Sequence, residues 1–339
     1  MSQNPFPLSS LEELRSLADR LPGADETARE GAIARQAQLT KPVGSLGILE
    51  ETACHFAAWQ GRINPEIKRA QALVFAGNHG VVAQGISPFP QEVTVQMVAN
   101  FRTGGAAINQ LCRAAGADLE VIEIDGLNPT RDFTVEPAMT PEECLAALNT
   151  GAAAVDPEAD VLLVGEMGIG NTTIAAALAA GVFGGTGADW VGPGTGLNAE
   201  GLIRKAGAVD KGVALHGHLD ALGVMAALGG REEAAMAGAV LGARAKGVPV
   251  ILDGFVCCAA VAPLFGADPR LLDHCLVGHA SAEPGHVKLL DKLGKTPMIQ
   301  IGMRLGEASG AAVALLLVRA ALECHNGMAT FAEAGVTEA

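Results

Sequence analysis

Five short apolar runs in this sequence are each followed directly by polar residues of types that suit chemistry on a small charged molecule. QALVFAG leads into Asn78-His79-Gly80 and DVLLVG into Glu166-Met167-Gly168, while PVIL leads into Asp253-Gly254, LVG into His279 and Ser281, and PMIQIGM into Arg304-Leu305-Gly306-Glu307. If the runs are strands of an open parallel sheet, these residues gather at the carboxyl ends, where such sheets bind ligands. Two acids stand out. Glu166 ends an apolar run, where a carboxylate must find a partner or take up a proton. Glu307 lies among small apolar residues in RLGEASGAAVALLLV, surroundings that raise a carboxyl pKa toward neutrality and make a competent general base. An acid that merely favours the first turn of a buried helix accounts for it as well. Arg304, on the same loop, can pair with Glu307 or with an anionic ligand.

The loop GEMGIGNTT, 165–173, enters a helix through small residues, so its N–H groups and the helix dipole offer an anion site. It lacks the Gly-Lys-Ser/Thr ending of a Walker loop, and a plain helix start capped by Asn171 or Thr172 explains the same residues. Gly194 to Ala199 satisfies a relaxed GxGxxA dinucleotide fingerprint, but GVFGGTGADW in front of it is too broken to be the strand that fingerprint requires. Arg204 and Lys205 fit a phosphate-binding role on the following helix, or else a solvated helix face. His216 and His218 have the wrong spacing to ligate one ion from one helical face, and no metal site is expected from them.

These residues need a frame. Val-, Ile- and Leu-rich runs at 71–76, 119–124, 160–164, 248–252, 274–278 and 297–301 alternate with Ala-rich segments of helical period, chiefly 91–114, 140–154, 171–180, 231–245, 254–265 and 306–325. That is the pattern of an α/β fold: a Rossmann-like parallel sheet flanked by helices. Before residue 70 the sequence predicts two or three amphipathic helices, around LSSLEELRSLADRL and GILEETACHFAAWQ, split by TKPVGSLG. We therefore divide the chain into a small helical segment, 1–66, expected to pack with the C-terminal helix, an α/β domain, 67–327, and a tail, 328–339. A chain of 339 residues, 49% apolar, can bury a large core. Its net charge of -14 makes nucleic acid and anionic lipid poor partners. Seven Cys without a CxxC pair suit a reducing compartment, and neither a signal-like start nor an 18-residue apolar span is present, so a cytoplasmic protein is expected.

With those residues in view, the chain resembles the nicotinate-nucleotide:dimethylbenzimidazole phosphoribosyltransferases. TKPVGSLGILE, NHGVVAQGISPFPQEVTVQMVANF, GEMGIGNTT, GPGTGLN, PVILDGF, GHASAEPG and MRLGEASGA carry the resemblance, in order, over nearly the whole length. It implies transfer of the phosphoribosyl group of nicotinate mononucleotide to 5,6-dimethylbenzimidazole, giving α-ribazole 5'-phosphate and nicotinate in cobalamin nucleotide-loop assembly, by a homodimer. Glu307 inherits the role of general base and Glu166 that of a second catalytic carboxylate. Gly168, Asn171, Thr172, Lys205, Ser281 and Arg304 fall to the donor nucleotide. Ser87, Phe89, Pro90, Gln96, Met97 and Leu305 fall to the acceptor base. No cofactor or metal is implied, because the donor's pyridinium is already a cationic leaving group. Asn78 stands where the family more often has Asp. An NAD-dependent oxidoreductase and a non-catalytic sensor of azoles or ribonucleotides are the competing readings.

Overall fold

The structure is a computed structural model that describes residues 4–194 and 196–337; the ends of the 1–66 segment and of the 328–339 tail, and Thr195, lie outside the described residues. Six parallel strands form one sheet: β1 (Ala70–Ala76), β2 (Ala117–Glu123), β3 (Val161–Met167), β4 (Val250–Leu252), β5 (Cys275–His279) and β6 (Pro297–Ile299), in the order β2-β1-β3-β4-β5-β6. All six predicted runs are strands, shifted by one to three residues at their ends. β1 is buried along its whole length because both of its faces are covered, whereas β2, at the edge, is largely half-exposed.

The two sets of alternating side chains feed two cores. Leu73, Phe75, Leu162, Val164, Leu252 and Val277 point to the face covered by helices that include Pro141–Ala154, Asn171–Phe183 and Arg231–Ala245. Ala72, Val74, Val161, Leu163 and Ile251 point to the other, covered by Ala107–Ala115 and Ser309–Gly327. Helix Arg231–Ala245 is buried through almost its entire length, packed so closely on Pro141–Ala154 that a Cβ on Gly151 or Gly238 would overlap the opposite backbone. No described helix is long and apolar enough to cross a membrane.

Three predicted helices begin or break elsewhere, each for a local reason. The 91–114 stretch is two helices, Glu92–Thr103 and Ala107–Ala115, divided at Gly104, whose φ of 81° ends the first. The 254–265 stretch breaks at Val261, just before Pro263 opens a second short helix. The last long helix starts at Ser309 rather than 306, because Glu307 and Ala308 both adopt positive φ. Before β1, helices Glu26–Gln38 and Ile48–Gln60 pack together, and the second lies on Ser309–Gly327. Arg35 Nε donates to His325 O at 2.8 Å, and Leu39 forms a bridge with Thr330. Thus helices Glu26–Gln38 and Ile48–Gln60 pack with the C-terminal helix on one face of the sheet, as expected, whereas Leu8, Leu14, Leu17 and Leu21 of the first predicted helix join the core of the opposite face.

β1 runs on to β2 at one side and the chain then returns to β3 on the other, so the sheet changes winding direction between β1 and β3. A crevice opens at such a point beyond the carboxyl ends of the two strands.

Candidate active site

Glu166, next to last in β3, lies in that crevice. Its carboxylate accepts from the Asn171 side chain, at the start of helix Asn171–Phe183, and is closely covered by Gly306. A Cβ on Gly306 would overlap Glu166 Oε1, and its φ of 87° also favours glycine. Burial, reinforced by the charges of Asp253, Glu232 and Glu307, drives the Glu166 pKa well above the ordinary carboxylate range against the opposing bond from Asn171. The ionised form of Glu166 is therefore penalised in this site.

Glu307 reaches the same cleft from the loop after β6. Burial pushes its pKa up to about 7, opposed by a backbone N–H at Ile108, and its Oε2 has no hydrogen-bond partner within the protein. The residue is held at φ 61° and Ala308 at 63°, the left-handed region, which costs non-glycine residues on the order of 1 kcal/mol or more each. Such strain persists only where packing fixes it, and here Ala308 lies tight against Gly165 of β3. The outcome is a carboxylate near its titration midpoint at neutral pH, aimed into a cleft.

Asp253, after β4, completes a trio of buried acids. Its Oδ1 accepts from Ala311 N at 2.9 Å, in the first turn of the last long helix, and burial lifts its pKa to about 7 despite that bond. His279 Nε2 stands 3.5 Å from the same oxygen. In the sequence Asp253 reads as an isolated acid, and its only signal is its place directly after a strand.

Opposite the acids is a cationic wall. Lys205 is 1% exposed, yet its Nζ donates to Thr172 Oγ1 at 2.8 Å and to Gly192 O at 3.0 Å. Burial lowers its pKa to about 8, with Glu283 opposing. Arg304 Nη1 donates to Gly194 O at 2.6 Å and Gly194 N donates to Glu283 Oε1 at 3.1 Å, so residues 192–194 are clamped between a cation and an acid. Nothing in the sequence singles out Glu283, which reads there as an ordinary acid before Pro284.

Glu166, Gly168, Asn171, Thr172, Ser281, Arg304, Leu305 and Glu307 line one cleft, and Ser87 and Lys205 line its continuation past Gly168 and Gly194. The other expected acceptor residues line neither part: Phe89 is 45% exposed, Pro90 and Gln96 are exposed, and Met97 is half-buried against the core. Arg204 donates to Gly85 O at 3.2 Å, which fixes the loop bearing Ser87. Asn78 serves the architecture, since its Nδ2 donates to Leu127 O at 3.1 Å, a bond an ionised aspartate cannot make. The segment before Gly192 holds a short helix, Gly187–Trp190, and no strand, which removes the context for a dinucleotide fingerprint. His216 is spent on Phe133 O at 3.0 Å, and His218 is exposed.

A family model described as phosphoribosyltransferase matches residues 21–336. A nicotinate-nucleotide-dimethylbenzimidazole phosphoribosyltransferase of Rhodobacter capsulatus is 66% identical over 330 residues, covering 97% of this chain and 99% of its own. One of the same name from Ruegeria pomeroyi is 56% identical over 331 residues, covering 98% of each chain. Among solved structures, the crystal structure of the enzyme of that name from Thermus thermophilus superposes with a TM-score of 0.86 at 43% identity, covering 93% of this chain and 100% of that one.

Proposed function

The chain belongs to the nicotinate-nucleotide-dimethylbenzimidazole phosphoribosyltransferase family, and from that premise we propose how its own residues carry out the transfer. The chain moves the phosphoribosyl group of nicotinate mononucleotide to 5,6-dimethylbenzimidazole, with α-ribazole 5'-phosphate and nicotinate as products. The C1'–N bond to nicotinate breaks as an acceptor nitrogen forms a new bond to C1' from the opposite face, which inverts the anomeric centre. Nicotinate departs with the bonding pair, so its ring goes from pyridinium to neutral pyridine and needs no proton. The acceptor's other ring nitrogen must lose its N–H proton, and Glu307 takes it.

The observation that carries this reading is Glu307 itself, a buried carboxylate with a free oxygen and a pKa of about 7. A base poised there contributes about 10²–10⁴ in rate. Glu166 faces the ribose, where positive charge develops. Lys205, Arg304 and the amides of the 165–173 loop hold the donor's phosphate and carboxylate; this local positive wall offsets the chain's overall acidity. Ser281 belongs to the donor side and Ser87 and Leu305 to the acceptor side. Phe89, Pro90, Gln96 and Met97 complete the acceptor wall only if the 87–97 segment closes over the bound base. The chain works as a homodimer in this reading, which sedimentation would reveal as a doubled mass. A cytoplasmic setting fits its seven free cysteines.

Chromatography of a mixture of the protein, nicotinate mononucleotide and dimethylbenzimidazole tests the reaction. Nicotinate and α-ribazole phosphate are expected in equal amounts. Failure to transfer to any azole or phenol, with binding retained, would replace catalysis by a sensor role.

A further inference from the structure

Beneath the donor loop, at the point where the sheet changes direction, His79, Glu232 and Glu233 bring their side chains together. One ligand atom from each lies within 4.8 Å of the others, and all three residues are 0–1% exposed. His79 follows β1, and the two glutamates occupy the first turn of helix Arg231–Ala245. Both ring nitrogens of His79 and all four carboxylate oxygens lack a hydrogen-bond partner. His79 Nε2 lies 2.6 Å from Glu232 Oε1, within ion-pairing distance but without hydrogen-bond geometry. Arg231, next in sequence, turns elsewhere: its Nε lies 3.3 Å from Asp125 and its Nη2 3.2 Å from Glu143. Among the described residues, no Lys or Arg pairs with either glutamate.

Three glycines wall the cluster. A Cβ on Gly168 would stand 2.6 Å from Glu232 Oε1, 2.7 Å from Gly77 O and 2.9 Å from His79 Nε2, while one on Gly77 or Gly230 would overlap a glutamate oxygen. None of the three has the positive φ that would call for glycine on backbone grounds, so their lack of side chains serves the space itself.

We propose that His79, Glu232 and Glu233 form a buried site for a first-row divalent transition-metal ion, Zn²⁺ or Mn²⁺ in class, distinct from the reacting cleft and bracing its floor. Two carboxylates and an imidazole without hydrogen bonds in a dry interior are costly, and an ion that joins all three offsets that cost. Donors at about 2.0–2.2 Å from one ion stand roughly 3–4 Å apart, which small side-chain rotations reach from the observed positions. A mixed nitrogen and oxygen donor set favours such an ion over Mg²⁺, which prefers oxygen alone. The ion would tie β1 to helix Arg231–Ala245 directly under Gly168. It takes no part in bond-making.

The test uses the full chain. Metal content is measured by mass spectrometry as purified; the chelator-stripped protein is then titrated with Zn²⁺, Mn²⁺, Co²⁺ and Mg²⁺ while melting temperature and Co²⁺ visible absorption are followed. We expect one transition-metal ion per chain, a rise in melting temperature on its return, and Co²⁺ ligand-field bands. His79→Gln and Glu233→Gln should lose all three responses, whereas His216→Gln, at a buried histidine outside the cluster, should keep them. Wild-type protein that takes up no ion and melts identically in every metal would overturn the site, leaving the three groups to share protons. A response to Mg²⁺ alone would overturn the transition-metal assignment.

Discussion

Replacing Glu307 by Gln should stabilise the protein as it disables it, and the size of that gain can be worked from the site. Burial moves the Glu307 carboxyl from its ordinary 4.5 to about 7. At about 1.4 kcal/mol per pH unit, carrying the ionised group in the folded state costs about 3 kcal/mol above pH 7. Below pH 4.5 both folded and unfolded chains hold the proton and the cost vanishes. Between those values the unfolded chain gives up a proton that the native state keeps, so the contribution to stability falls as pH rises. Gln carries no such penalty. With an unfolding entropy of about 2 cal/mol/K per residue, a chain of this length loses or gains roughly 4 °C for about 3 kcal/mol. Calorimetry of wild type and Glu307→Gln at about pH 5 and about pH 8.5 should therefore show nearly matched melting at the lower pH and a variant about 4 °C more stable at the higher. Equal melting at both, or a variant less stable at the higher pH, would refute the claim that this carboxylate is held ionised against its surroundings.

Three other substitutions probe the supports. Gly306→Ala imposes a strained φ and drives a methyl into Glu166, so turnover should collapse alongside a stability loss of about 1–3 kcal/mol, read by assay and melting. Lys205→Met removes a charged donor and should raise the KM for nicotinate mononucleotide on the order of 10–100-fold. Because Lys205 loses its proton as pH rises through about 8, the wild-type KM should climb above that pH while the variant's stays level. Asn78→Asp sets a carboxylate against the Leu127 carbonyl and should cost about 1–3 kcal/mol in denaturant unfolding.

Much of the frame is legible because central parallel strands are continuous apolar runs: β1 reads AQALVFA and is buried throughout. The residues after each strand are legible for the same reason, since strand ends locate a crevice whatever the helices do. Burial set by tertiary packing is not. REEAAMAGAVLGARA reads as one more Ala-rich helix, with nothing to mark its first two acids, yet Glu232 and Glu233 lie deep beside His79, which is distant in sequence. Nor does sequence signal that Glu307 and Ala308 adopt left-handed φ, because neither residue type prefers it; contact between Ala308 and Gly165 imposes it. Phe89 sits on the loop before helix Glu92–Thr103, and no local pattern encodes where that loop lies or which way Gln96 on the helix faces.

Whether Glu307 removes the acceptor's proton is decided by the pH profile of kcat/KM for dimethylbenzimidazole. Wild-type activity should rise with one ionisation near pH 7, and Glu307→Gln should be slower by about 10²–10⁴ with that acid limb gone. A variant that kept both the limb and the rate would show that another group takes the proton.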